Sequence, residues 1–242
     1  MSAIAHHLES AGIATSLVAL IRLHVENAQP PRALWVPFQL GRPVGAPHDA
    51  AFQRRVILDA LSLLEKDASI PVLENFPDDE PGANDKSDWM APFGFPGRDI
   101  ADEVEALRPF YQRARERTAR STFGVSGLAI EELVAYLLAI DGPAPRPNPR
   151  KDLADVQMLR YAVDDLKVFY LEALIESDPS PSGWQAANWF WEQTRAGELV
   201  KRLRVDSIDH PNPQRRYAAW WLVPDGWSDA ETVERMRAIK VE

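Results

Sequence analysis

Apolar positions recur every three or four residues over most of the second half of the chain, and in short blocks over the first. Between Asp152 and Glu176, the residues Leu153, Val156, Leu159, Val163, Leu166, Tyr170 and Leu174 draw one continuous stripe, which predicts a long amphipathic helix. Asp99–Arg120, Ala129–Ile140 and Gln185–Val205 carry the same periodicity. They are separated by breakers such as Gly142-Pro143-Ala144-Pro145-Arg146-Pro147-Asn148-Pro149, so residues 99–242 read as a helical bundle. The first 67 residues differ. Ala3–Ser10 predicts a short helix with Ile4, Ala5 and Leu8 inward and Gly12 as its stop, and Ile13–Ile21 is apolar and β-branched enough for a buried strand. Arg22–Ala28 predicts a helical turn ended by Pro30-Pro31, Ala33–Val36 a second strand, and a helix resumes near Asp49. Short connections in that order predict parallel pairing. A parallel sheet needs both faces covered, so two strands alone are incomplete and further strands are expected from elsewhere. Residues 68–98, rich in proline and glycine and carrying Asp78-Asp79-Glu80, read as an irregular connector. The expected fold class is α/β, an incomplete Rossmann-like or flavodoxin-like parallel-sheet segment at 1–67, followed by a mostly α-helical bundle, helix-rich overall.

Composition narrows the partners. A formal charge of −9 argues against a nucleic-acid or anionic-membrane surface, either of which needs concentrated Lys and Arg. The basic runs Arg113–Arg120 and Lys201–Arg204 are interleaved with acids or apolar residues, as on solvated helix faces. Cysteine is absent, which excludes disulfides, Cys-ligated metal and thiol catalysis by this chain. The amino terminus has no basic and apolar leader pattern, and no stretch approaches the roughly 18 uninterrupted apolar residues of a membrane span. A cytoplasmic protein without membrane partners is the expectation.

Candidate chemistry concentrates where the second strand leaves through Pro37-Phe38-Gln39-Leu40-Gly41-Arg42-Pro43 before a helix. That order, strand then ornate loop then helix, is the layout of ligand sites at the carboxyl ends of α/β strands. Gly41 and Gly45 permit backbone conformations closed to other residues, and Arg42 offers a planar fork for a carboxylate or phosphate. Arg22 and His24, at the end of the first strand, lie beside this loop if the strands are parallel neighbours. Gln39 completes the wall, for a small anionic or amino-acid-like ligand. His6 and His7, placed at the first turn of their helix, sit where exposed N–H groups favour an anion; adjacent on a helix, they cannot share a metal. No Walker or dinucleotide glycine pattern is present, and no metal or cofactor is expected. Asp164, Asp165 and Glu172 read as a polar outer face rather than a di-metal site, since the one histidine of this half is His210. Trp184, Trp189, Phe190, Trp191, Trp220, Trp221 and Trp227, with Arg195 one turn after Trp191, read as core and helix anchors in preference to a pocket.

The segments Ile4-Ala5-His6-His7-Leu8-Glu9-Ser10-Ala11-Gly12-Ile13, Pro31 through Pro43, Phe52-Gln53-Arg54-Arg55-Val56 and Leu61–Leu64 resemble the selenoprotein B component of the glycine, sarcosine and betaine reductases. The bundle segments Thr122–Leu128, Ala162–Lys167 and Trp189–Thr194 look like those of its uncharacterised bacterial relatives. About a quarter of the chain carries the named resemblance. It implies a reductase in which a selenocysteine or cysteine just before the helix resembling Ala3–Ser10 attacks the substrate carbon next to an amine, and the amine is released reductively. That position falls at or just before Met1, and this chain holds no cysteine. Three explanations stand side by side: a fragment of a longer protein, a partner chain that supplies the missing half of the α/β domain, or a lineage that lost the chemistry. The expected assembly is a homo-oligomer or such a hetero-complex. The competing expectation is a non-catalytic binding or scaffold protein that works through the aromatic-rich bundle.

Overall fold

The computed structural model describes residues 1–38, 40–46, 49–67, 69–79, 89–95, 98–140, 146–179 and 181–239. The chain divides into two compact units, Met1–Asp85 and Lys86–Glu242. The first is a small parallel α/β unit and the second a helical bundle. Among the described residues, no helix is long and apolar enough to cross a membrane.

In the first unit, helix α1 (Ser2–Ser10) precedes strand β1 (Leu17–Ala19), helix α2 (Arg22–Ala28), strand β2 (Arg32–Trp35), helix α3 (Ala50–Ser62) and strand β3 (Val72–Asn75). The sheet runs in the order β1-β2-β3 with both pairs parallel, Leu17 opposite Ala33 and Arg32 opposite Val72. The third strand lies inside the stretch expected to be an irregular connector. The five residues between Pro71 and Pro77 are too few to show a period, and pairing with β2 makes four of them a strand. The strand expected over Ile13–Ile21 shrinks to three residues. Alternation divides the two faces: Val18, Leu20, Leu34, Val36 and Val72 meet Phe52, Val56, Ala60 and Leu63 around α3, whereas Leu17, Ala19, Ala33 and Leu73 meet Val25 of α2. Both faces are therefore covered by the chain's own helices.

At the amino edge, buried Arg32 donates Nη1 to Glu9 (2.6 Å) and Nε to Lys66 O (2.9 Å), while Glu9 also accepts the Thr15 hydroxyl. Hydrogen bonds from Thr15 and the nearby Arg32 charge hold the Glu9 carboxyl below its ordinary range. This network pins the last turn of α1 to the sheet. Ile4, expected inward, is 55% exposed; Ala5 is the buried residue of that helix.

In the second unit, α4 (Ile100–Thr118), α5 (Ile130–Ile140), α6 (Asp155–Ser177), α7 (Gly183–Gln193), α8 (Arg195–Ile208), α9 (Pro213–Leu222) and α10 (Ala230–Arg237) follow in order. Helix α6 packs against α4, α5, α7 and α9. Of the expected stripe it buries Leu159, Val163, Leu166, Tyr170 and Leu174, with Val156 half-buried and Leu153 half-buried just before the helix; it also buries Met158, Ala162, Asp165, Phe169 and Ala173, because a central helix meets protein on two sides. Asp165, expected on a polar outer face, is fully buried. Its carboxylate accepts the N–H groups of Gly124 (2.8 Å), Val125 (3.2 Å) and Ser126 (2.9 Å) and the Ser126 hydroxyl (2.5 Å), fastening the α4–α5 connection to α6. Asp164 does face outward, paired with Lys167, while one oxygen of Glu172 is buried with no hydrogen-bond partner among the described residues. Trp89, Phe93 and Phe95, from the expected connector, pack into this bundle.

The helix expected over Gln185–Val205 is two helices. Extended Thr194 separates them, donating its hydroxyl to Phe190 O (2.7 Å) and accepting from Gly197 N (3.0 Å) as the cap of α8. The corner is tight: a Cβ on Gly197 would lie 2.1 Å from Phe190 O and 2.9 Å from Trp191 Cα, both backbone atoms. Gly197→Ala is expected to destabilise the protein by more than about 2 kcal/mol in urea unfolding. The control Gly226→Ala, whose Cβ meets nothing within 4 Å, is expected to stay within about 0.5 kcal/mol.

Candidate functional site

The carboxyl edge of the sheet is built by the residues that end its strands. Arg22 opens α2 directly after β1, so its guanidinium reaches across the sheet: it lies 5.3 Å from the centre of the Trp35 ring at the end of β2 and donates to Asn75 Oδ1 at the end of β3. Its Nε is bound to Glu26 Oε1 at 2.7 Å, a pair in which both side chains are more than 40% exposed. The contrast with Arg32 at the opposite edge is energetic. An exposed pair of this kind is worth at most about 1 kcal/mol, so a ligand carboxylate can take the place of Glu26 at small cost. Breaking a buried pair costs about 3–5 kcal/mol, which leaves Arg32, 8% exposed, as a structural group.

The β2–α3 loop is folded over its own apolar residues. The Phe38 ring lies tilted 5.4 Å from Phe52 and edge-on 5.6 Å from Phe76, and Asp49 caps α3 by accepting from Phe52 N. Gly45 has φ 92° and lies under Phe52, where a Cβ would meet the ring at 2.6 Å, so its glycine serves packing. Gly41 shares that φ, but a Cβ there meets nothing, and it stands at the outer lip with Leu40, 75% exposed. Arg42, half-buried, is engaged within the structure. Gln39 lies outside the described residues. His24 is exposed on α2.

His6 and His7 do not sit at the first turn. His6 falls at the middle of α1 and His7 in its last turn, so the positive end of the helix is not theirs. His6 instead places Nε2 3.2 Å from Ala28 O and ties α1 to the end of α2.

Two of the bundle's cavities combine charged walls with a buried titratable side chain, Glu103 in one and Tyr136 in the other. The larger, about 540 Å³, is lined by Phe93, Phe95, Glu103, Trp191, Arg195 and Lys201, among others. Glu103 of α4 is fully buried there and accepts from Arg195 N (2.8 Å), from Ala196 N (3.4 Å) and from the Tyr170 hydroxyl (2.9 Å). It fills the amino end of α8 beside the Thr194 cap. Burial raises its carboxyl above the ordinary 4.5, although those hydrogen bonds oppose the shift. Each of its bonds is to the protein itself, which makes it a structural cap. The residues around Trp189 are likewise ring-on-ring core, as expected of the aromatic positions.

The second cavity, about 210 Å³, lies among Tyr136, Arg146, Asp155, His210 and Arg215, with Ile140 and Val156 as apolar wall. Tyr136 is 6% exposed, and no described residue accepts or donates a hydrogen bond at its hydroxyl. Burial pushes its phenol up to about 12, with Asp155 adding and Arg215 opposing. His210 accepts from Asn212 N at Nδ1 (3.1 Å), which requires a lone pair there and puts the proton of the neutral ring on Nε2. Burial, then Arg215 and Arg216, lower its pKa. The wall thus offers phenol O–H, imidazole N–H and guanidinium donors beside a single carboxylate. His210 was visible in the sequence as the bundle's lone histidine; nothing in the sequence marked Tyr136 or Asp155 as its neighbours.

The chain is therefore a small parallel α/β unit and a helical bundle. Comparison with protein-family models, with curated proteins and with solved structures finds no match in any of the three.

Glu103 gives a signed pH dependence. Its raised pKa means that folding favours the protonated form, so the stability it contributes is full below 4.5 and is lost as pH rises through the higher folded value. The urea midpoint of the wild type relative to Glu103→Gln is expected to fall as pH is raised from below 4.5 toward neutrality. A difference that does not change with pH refutes the assignment.

Proposed function

We propose that the chain is the ligand-holding part of a reductase-related cytoplasmic subunit, taking a small carboxylate-bearing amine at the carboxyl edge of its sheet. The observation that carries this reading is Arg22, whose guanidinium reaches the ends of β2 and β3 while held to Glu26 only by an exposed pair. In this reading the ligand carboxylate takes the place of Glu26, and Trp35 and the outer lip at Gly41 and Arg42 close over the amine end. The resemblance to selenoprotein B supports the choice of an amino-acid-type ligand. The chain has no cysteine, so the nucleophile of a reductive cleavage comes from outside this sequence.

A second reading is favoured by the recess that Tyr136, Asp155, His210 and Arg215 line together. The bundle then binds the same class of ligand without chemistry, its carboxylate met by Arg215 and the His210 Nε2–H and its amine by Asp155.

Calorimetric titration with glycine, sarcosine and glycine betaine separates the two. The first reading expects at least a tenfold loss of affinity in Arg22→Ala with Tyr136→Phe unchanged. The second expects the reverse pattern with Tyr136→Phe and Arg215→Ala. Absence of binding by the wild-type chain to all three compounds overturns both.

A further inference from the structure

Helix α3 is apolar on two opposite sides. At about 100° per residue, Phe52, Val56 and Ala60 of α3 and Leu63 of the 3-10 turn Leu63–Glu65 that continues it occupy one side, and all are buried in the first unit's core. On the opposite side stand Ile57, Leu58 and Leu61, which are 46%, 50% and 51% exposed. A surface helix ordinarily turns a polar face to water; a helix apolar on both sides is one that meets protein on both.

The charges that flank this stripe decide what meets it. Arg54 lies one turn before Leu58, and Glu65 lies one turn after Leu61. Both are exposed, and among the described residues neither has a hydrogen-bond or ion-pair partner. Adjacent Arg55, off the stripe, is by contrast paired with Asp78 and lies over the Phe52 and Phe76 rings. The order cation, apolar, apolar, anion is its own complement when read backwards. If two copies of α3 pack antiparallel about a two-fold axis at mid-helix, each Leu58 meets the partner's Leu61, and each Arg54 stands opposite the partner's Glu65. An unrelated partner has no need of that symmetry.

We infer that the exposed face of α3 is a two-fold interface between copies of this chain, with Ile57, Leu58 and Leu61 as its apolar centre and Arg54 and Glu65 as its charged rim. Such an isologous contact closes at two subunits. The stripe is narrow, so the dimer dissociates on dilution. This inference stands apart from the ligand readings above, and the experiment that tests it uses no ligand.

Sedimentation velocity on the full chain over a range of concentrations reads it directly, with circular dichroism and thermal melting to check folding. The wild type is expected to show a monomer–dimer equilibrium, and Leu61→Asp to be a folded monomer. Arg54→Glu alone is expected to weaken the dimer about tenfold, the cost of like charges on the rim. The double variant Arg54→Glu/Glu65→Arg is expected to regain wild-type association, because each new glutamate again faces an arginine. That rescue distinguishes a specific two-fold contact from a fold damaged by substitution. A wild type that stays monomeric into the high-micromolar range overturns the inference. So does a dimer that survives Leu61→Asp, or a double variant no better than Arg54→Glu.

Discussion

A carboxylate taken out of water is tolerable only if N–H and O–H groups or a nearby cation replace the hydration it loses. The bundle is organised around two places where that replacement is made. Asp165 of α6 collects three backbone N–H groups and a hydroxyl from residues 124–126, and Glu103 of α4 collects two backbone N–H groups of α8 and the Tyr170 hydroxyl of α6. Between them these two side chains specify where the α4–α5 connection and the start of α8 sit against α6. Hydrophobic packing alone leaves such registers free to slide, since one apolar contact replaces another at little cost. A carboxylate that must be met by particular N–H groups does not allow that.

This is also why the sequence was legible to different depths in different places. The helices of the bundle follow from apolar period, and the prediction of their existence holds for Asp99–Arg120, Ala129–Ile140 and Asp152–Glu176. The period could not show that Asp165 is buried, because an acid beside an apolar stripe has the same pattern whether it faces solvent or a loop of N–H donors. Nor could it show the break at Thr194: Gln185–Val205 keeps its spacing through the corner, and the one local sign is Gly197, whose need for glycine comes from Phe190 O across the turn. The strand Val72–Asn75 was hidden for a related reason. Five residues between prolines have no intrinsic preference strong enough to read, and four of them become a strand because Pro31 O accepts from Val72 N and Trp35 O from Phe76 N.

In the first unit the strand-loop-helix order was readable, but which features of it serve a ligand was not. Two glycines with the same positive φ look alike in sequence. One is fixed by Phe52 pressing on its α-carbon, and the other faces open space. Of the histidines read as a first-turn pair, His6 is at the middle of that helix and His7 in its last turn, since α1 already begins at Ser2. Burial and packing assign these roles, and neither can be read from spacing over so short a segment.

The two arginines of the sheet carry this distinction furthest. Both follow or begin a strand, both bind a glutamate, and composition gives no reason to prefer one. Arg32 is enclosed at the amino edge with the Glu9 carboxylate and the Lys66 carbonyl, so exchanging either partner for a ligand exposes a buried ion to an incomplete shell. Arg22 stands at the carboxyl edge with half its surface in water and a ring beneath it, and water already competes with Glu26 for its N–H groups. Replacing Glu26 there breaks only an exposed pair, whereas replacing Glu9 or the Lys66 carbonyl at Arg32 breaks a buried one. The side of the sheet on which a site can form is thus decided less by the number of polar residues at each edge than by how cheaply their present partners are given up.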